Sequence, residues 1–164
     1  MRLADAAALV ALASLLPATA AQADEASDRA AIHALLVDYG RTLDARDFDG
    51  FGRLFARNGV YVSGPTPAVG GEAAAAMMRG IFATNALGFR EPNFHIFFNE
   101  VITLDGPDSG HASSMSLYMV PNEANRPSPA LMARYDDQLV REQGRWKFAR
   151  RTVTSLIPAP SKPK

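Results

Sequence analysis

A single imidazole, His95, stands in the stretch Pro92-Asn93-Phe94-His95-Ile96-Phe97-Phe98-Asn99-Glu100-Val101-Ile102. Ile96, Phe97, Phe98, Val101 and Ile102 are strand formers that favour a packed, pleated surface. A histidine among them needs a partner or must face a cavity, because an unpaired buried polar group is costly. The chemistry it offers is general-base catalysis. Histidine is the side chain whose ordinary pKa lies near neutrality, which suits it to taking a proton from an activated carbon. A carboxylate on the far ring nitrogen would fix the tautomer and stabilise the imidazolium that forms. Asp44 is the candidate carboxylate, and His95 is read as facing a pocket and meeting it. Both residues also admit plainer readings: His95 as a satisfied core histidine, Asp44 as a surface carboxylate poorly placed for the helix dipole.

The element that must position Asp44 is a first helix over Asp24 to Asp47, capped by Ser27 or Asp28. Ile32, Leu35, Leu36, Tyr39 and Leu43 follow the i, i+3, i+4, i+7, i+11 spacing of one buried stripe. His33, Val37, Gly40 and Asp44 form a second row along the edge of that stripe, at about 100° per residue. A short second helix is expected next, with Phe51, Leu54 and Phe55 as its apolar face and Arg57-Asn58-Gly59 as its stop. Val60 to Val62 reads as a strand, and Gly64 to Gly71 as a loop. Glu72 to Phe82 reads as a third helix, small on its alanine side and bulky at Met77, Met78, Ile81 and Phe82.

The strand carrying His95 spans Asn93 to Leu104, long enough to need a bend or bulge. Three more strands follow. His111 to Val120 sets Met115, Leu117 and Met119 against Ser114, Ser116 and Tyr118. Ala130 to Arg141 alternates Leu131, Ala133, Tyr135, Asp137 and Leu139 against Met132, Arg134, Asp136, Gln138 and Val140. Trp146 to Val153 sets Trp146 and Phe148 against Lys147 and Arg151. Helices first, then strands joined by hairpin-type turns, is the order of an α+β domain with helices on one face of an antiparallel sheet.

Composition narrows the chemistry. Among 164 residues, 17 basic and 17 acidic side chains leave no net charge. Nucleic acid is therefore not an expected partner, since there is no basic excess to collect phosphates. The absence of cysteine excludes disulfides, thiolate metal sites and cysteine nucleophiles. There is no GxSxG, no HExxH and no phosphate-binding glycine loop. His33, His95 and Asp44 do not have the spacing of a metal triad, so neither metal nor cofactor is expected. At the N-terminus, a basic start at Arg2, an apolar run from Ala6 to Leu16, Pro17 and Ala21-Gln22-Ala23 read as a signal peptide over 1–23, cut near Ala23. The run is too short to span a bilayer. A periplasmic or secreted protein with no membrane contact after cleavage is expected, with one domain over 24–155. A proline- and lysine-rich tail over 156–164 is expected to be disordered.

Several weak motifs in a fixed order carry a resemblance. They are Ala31-Ile32-His33-Ala34-Leu35-Leu36-Val37-Asp38-Tyr39 leading to Leu43-Asp44-Ala45-Arg46-Asp47, then Leu54 to Val60, Phe94-His95, and Asn99 to Ile102. Arg134-Tyr135-Asp136-Asp137 and the run Val140 to Phe148 complete the set. In this order the chain resembles the SnoaL-like domains of the NTF2-like superfamily, and within it the branch of scytalone dehydratase and hexachlorocyclohexane dehydrochlorinase.

The resemblance implies a cone or barrel: a strongly curved, mostly antiparallel sheet wrapped around the long N-terminal helix, with an apolar pocket. It implies His95 as general base and Asp44 as its orienting carboxylate, eliminating water or chloride without a cofactor. It implies phenols at Tyr39 and Tyr61, a pocket arginine at Arg141, and a homo-oligomer, dimer or trimer. His111 falls near the place of a second histidine but at a turn. Phe55, Met78 and Phe82 are expected as substrate contacts, among apolar walls that include Phe48, Phe51, Phe94, Met115 and Trp146. The expected function is that of a lyase or isomerase on a small hydrophobic, cyclic molecule. The alternatives are a non-catalytic carrier of a hydrophobic ligand and an oligomeric scaffold, because membership of a fold family does not settle function.

Overall fold

The computed structural model describes residues 16–157, with side chains from Asp24. The signal peptide expected over 1–23 and the tail expected over 156–164 fall largely outside the described residues. The elements are α1 (Leu16–Asp44), α2 (Phe48–Arg53), β1 (Phe55–Val62), β2 (Ala68–Val69), α3 (Gly71–Thr84), β3 (Phe94–Gly106), β4 (Ser109–Pro121), β5 (Pro127–Glu142) and β6 (Arg145–Ile157).

The apolar stripe of α1 does what its spacing predicts. Ile32, Leu35, Leu36, Tyr39 and Leu43 are all buried. They meet one open six-stranded sheet in the order β2-β1-β6-β5-β4-β3. Every pairing is antiparallel except β1 with β6, which is parallel. The fold is α+β, with α1 packed on β3 and β6. Phe51, Phe55, Tyr61, Tyr135, Leu139 and Phe148 complete the core between helix and sheet.

Bulges shape this sheet. The register of β3 on β4 shifts between Phe98 and Val101, where Asn99 takes φ 53°. A bulge bends and twists the strand that carries it. This is the break that the length of the His95 strand demanded.

Three local expectations are corrected. Phe55 opens β1 instead of closing the second helix, because α2 already stops at Arg53. Arg57-Asn58-Gly59 is not a left-handed helix stop; it is looped out within β1, between the pairs Phe55↔Phe148 and Val60↔Arg150. Arg151 does not oppose Phe148 across the sheet. The β5–β6 register passes from Gln138↔Arg150 to Leu139↔Phe148, so Ala149 is an extra residue. One extra residue reverses the alternation, and Arg151 turns inward to become completely buried.

α1 packs tightly against β3 at Gly40. A Cβ there would lie 2.8 Å from Phe97 Cε2 and 3.4 Å from His95 Cβ. Gly40→Ala is accordingly expected to destabilise the fold although alanine is the better helix former. Overpacking costs about 1–3 kcal/mol, and the helix gain returns about 0.5–1 kcal/mol. A lower urea midpoint with an unchanged slope would register the loss; a raised midpoint would mean that Phe97 moves aside freely.

Candidate active site

Asp44 is the last residue of α1, and the chain fixes it there with backbone hydrogen bonds. Asp47 N donates to Thr42 O at 2.8 Å and Arg46 N to Leu43 O at 3.0 Å. Arg46 takes φ 60°. This is a Schellman cap with arginine in the left-handed position that usually holds glycine. Asp47 then caps α2, its side chain accepting from Gly50 N at 2.7 Å. The helix end is thereby held rigidly at its most chemical residue.

His95 comes from the second residue of β3, opposite Tyr118 of β4. Its Nδ1 lies 2.6 Å from Asp44 Oδ1, and its backbone N–H donates to Oδ2 at 3.0 Å and to Oδ1 at 3.2 Å. The two side chains are 11% and 21% exposed. A carboxylate only accepts, so Nδ1 carries a hydrogen, and in the neutral ring Nε2 holds the lone pair. With Nδ1 taken, Nε2 is the nitrogen left for the cavity that His95 lines.

That cavity measures about 400 Å³. Leu43, Met78, Ile81, Phe82, Leu131 and Val153 supply apolar wall, and the segment from Thr84 to Glu91 closes one side. All four tyrosines of the chain reach it. Tyr39 and Tyr61 share a hydroxyl hydrogen bond of 3.0 Å, and Tyr135 shares one of 3.0 Å with Ser116. Burial pushes the phenols of Tyr39, Tyr61 and Tyr135 above the usual range, so these rings stay neutral. An imidazole with its orienting carboxylate, lining a largely apolar cavity, is equipped to remove a proton from carbon.

A family model for the SnoaL-like domain matches residues 24–152. The chain belongs to the SnoaL-like domain family. No curated protein matches the chain by sequence. Solved structures resemble it as folds. An NTF2-like protein with a cystatin-like fold from Novosphingobium aromaticivorans is 23% identical, with a TM-score of 0.75 over 88% of this chain and 92% of that one. A candidate scytalone dehydratase from the same organism is 24% identical, with a TM-score of 0.69 over 83% and 89%. LinA is 20% identical, with a TM-score of 0.71 over 86% and 94%. Identities this low show the NTF2-like fold and nothing finer.

Within this SnoaL-like chain, the expected site residues divide. Tyr39, Tyr61, Met78 and Phe82 line the same cavity as His95. Phe55 lies beneath it, packed on Phe51, Tyr61 and Phe148. Arg141 is elsewhere. Its Nη2 donates to Asp28 Oδ1 at 2.6 Å, Nε donates to Pro107 O at 3.0 Å, and its guanidinium lies 4.8 Å from the Trp146 ring. Trp146 Nε1 shares Asp28 Oδ1 at 3.1 Å. That arginine clamps the middle of α1 to the sheet, and holds the Asp28 carboxyl below its ordinary pKa. Phe94, opposite Met119, and Met115, opposite Phe98, lie on the outer face of the sheet, away from the cavity. His111 pairs with exposed Asp105 at 3.1 Å.

Arg46 and Tyr118 are among the cavity residues that escaped the sequence reading. Arg46 lines the cavity, its guanidinium 4.1 Å from the Phe82 ring and hydrogen-bonded to Glu91 at 2.7 Å and Asn93 at 2.8 Å. Nothing in its spacing marks it, since its place depends on the left-handed cap. Tyr118 is buried against His95, with ring centroids 4.8 Å apart. Its alternation with Ser114 and Ser116 was legible, but which face of β4 is the inner one was not.

Proposed function

We propose that this SnoaL-like chain is an exported, cofactor-independent lyase or isomerase. It abstracts a proton from a small hydrophobic, cyclic substrate, with His95 as general base and Asp44 as the carboxylate that orients it. The observation that carries the reading is the 2.6 Å contact between His95 Nδ1 and Asp44 Oδ1, behind a ring that lines an aromatic cavity. Dehydratase-type elimination suits an apolar cavity because exclusion of water strengthens the Asp44–His95 interaction and suppresses competing hydrolysis.

The test uses a nitrobenzisoxazole, whose ring opens when a base takes one proton from carbon. Wild type is expected to accelerate the opening above a histidine-free protein control, and His95→Ala to lose that acceleration while keeping its thermal midpoint. Equal rates for the two proteins would remove His95 from the chemistry and leave the cavity as that of a ligand carrier.

Export and assembly belong to the same proposal. Removal of residues 1–23 would be read by mass spectrometry of the secreted or periplasmic protein. Self-association as a dimer or trimer is supported by exposed Phe94, Ile96 and Val101 on the outer face of β3.

A further inference from the structure

Elimination of water needs two proton transfers, one from carbon to a base and one to the departing oxygen. The dyad provides the first alone. Tyr39, Tyr61 and Tyr135 have their hydroxyls engaged with one another or with Ser116. Arg141 is bound to Asp28, about four turns of α1 before Asp44. Tyr118 remains. It is the cross-strand neighbour of His95. Its ring is wedged between His95, at 4.8 Å, and Phe89, at 5.3 Å. The residue is 7% exposed and lines the cavity. Among the described residues its hydroxyl hydrogen has no acceptor.

We propose that Tyr118 is the general acid of this site, protonating the oxygen that leaves while His95 takes the proton from carbon. The proposal rests on the proton-abstraction reading given above. In the forward step the C–H bond breaks toward His95 Nε2, the C–C double bond forms, and the C–O bond breaks as Tyr118 transfers its proton to that oxygen. Water leaves, with an imidazolium and a phenolate left behind on the protein. A proton then passes from His95 to Tyr118 and both groups return to their starting forms, so no oxidant or co-reactant is required.

The environment fits this role. Burial pushes the Tyr118 phenol up to about 12, with the Arg46 charge pulling it down and the Asp44 charge pushing it up. The ring therefore keeps its proton until an oxygen more basic than phenolate needs it. Hydroxide is such an oxygen, since water has a pKa of about 15.7. The phenolate left behind is much more basic than an imidazole, so the return transfer is downhill.

The consequence is a requirement that depends on the leaving group. β-Hydroxycyclohexanone and β-acetoxycyclohexanone both give cyclohexenone, one by losing hydroxide and the other by losing acetate, which needs no proton to depart. For Tyr118→Phe, turnover of the hydroxy ketone is expected to fall by roughly 10²–10⁴-fold, with turnover of the acetoxy ketone close to wild type. Because both rates come from one preparation, a partly unfolded variant would lower them together and leave their ratio unchanged. An equal effect on both ketones, or on neither, overturns the acid assignment and leaves the base intact. Wild type active on the acetoxy ketone alone also overturns it. His95→Ala should abolish both reactions; wild type inactive on both ketones overturns the base and the acid together.

Discussion

Asp44→Asn is expected to lower elimination turnover about as far as loss of the base itself, by roughly 10²–10⁴-fold. The substitution changes neither size nor backbone, so the expectation follows from hydrogen-bond polarity. The Asp44 carboxylate accepts twice from His95: from the backbone N–H and from ring Nδ1. An amide has one acceptor oxygen. The backbone N–H can only donate, so the Asn oxygen is drawn to it and the NH₂ group turns toward Nδ1. Nδ1 must then accept, which moves the ring hydrogen to Nε2. Nε2, the nitrogen not held by Asp44, then carries a proton and cannot take one. Nitrogen NMR of the His95 ring should show the hydrogen on Nδ1 in wild type and on Nε2 in Asp44→Asn. An unchanged tautomer with unchanged turnover would make Asp44 a helix-end carboxylate only. Loss of turnover with an unchanged tautomer would locate its role in stabilising the imidazolium.

What the sequence made legible follows from periodicity. The stripe of α1 was readable because five apolar residues at helical spacing leave one face to bury, and all five are buried. The alternation of β5 that sets Tyr135, Asp137 and Leu139 on one face was readable because no bulge interrupts it against β4. The meeting of Asp44 with His95 was legible only with the resemblance to the family. A contact across 51 positions in the chain leaves no local signal. Most of the failures come from loss of period. One extra residue at Ala149 reversed Arg151, and the looped-out residues of β1 imitated a helix stop. Arg46 reaches the cavity through a single left-handed residue that composition alone would assign to glycine. The outer face of β4 deceived in another way. Met115, Leu117 and Met119 look like core, yet the inner row is Ala112, Ser114, Ser116 and Tyr118, because that row faces α1 and the cavity.

Asp137→Ala is expected to destabilise the fold by about 3–5 kcal/mol above neutral pH, the cost of leaving a buried charge without its partner. Arg151 Nη1 donates to Asp137 Oδ2 at 3.0 Å, and both side chains are 0% exposed. The guanidinium is enclosed by the rings of Tyr39 at 4.0 Å, Tyr135 at 4.3 Å and Phe148 at 4.6 Å. Cation–π attraction of this kind offsets part of its desolvation. The pairing is incomplete, since Asp137 Oδ1, Arg151 Nε and Nη2, and Ser114 Oγ have no protein partner among the described residues. An incompletely satisfied buried pair is weaker than a well-packed apolar replacement of similar volume. The double substitution Asp137→Leu with Arg151→Met is therefore expected to recover the loss, and urea unfolding of the single and double variants checks both statements. Equal losses in the two would mean that the pair is favourable in its own right. The dependence on pH has the opposite sign to that of an ordinary salt-bridged aspartate. Burial pushes the Asp137 carboxyl up from 3.8 to about 6, against the pull of Arg151. The folded chain then holds that proton more tightly than the unfolded chain. The stability linked to it is complete below about pH 4, declines as pH rises through about 6 and is level above that. Asp137→Asn should remove this decline. Because Tyr39 and Tyr135 cover the guanidinium and also line the cavity, the pair supports two rings of the cavity wall. The double variant can thus regain stability while its cavity, and any rate measured in it, stays altered.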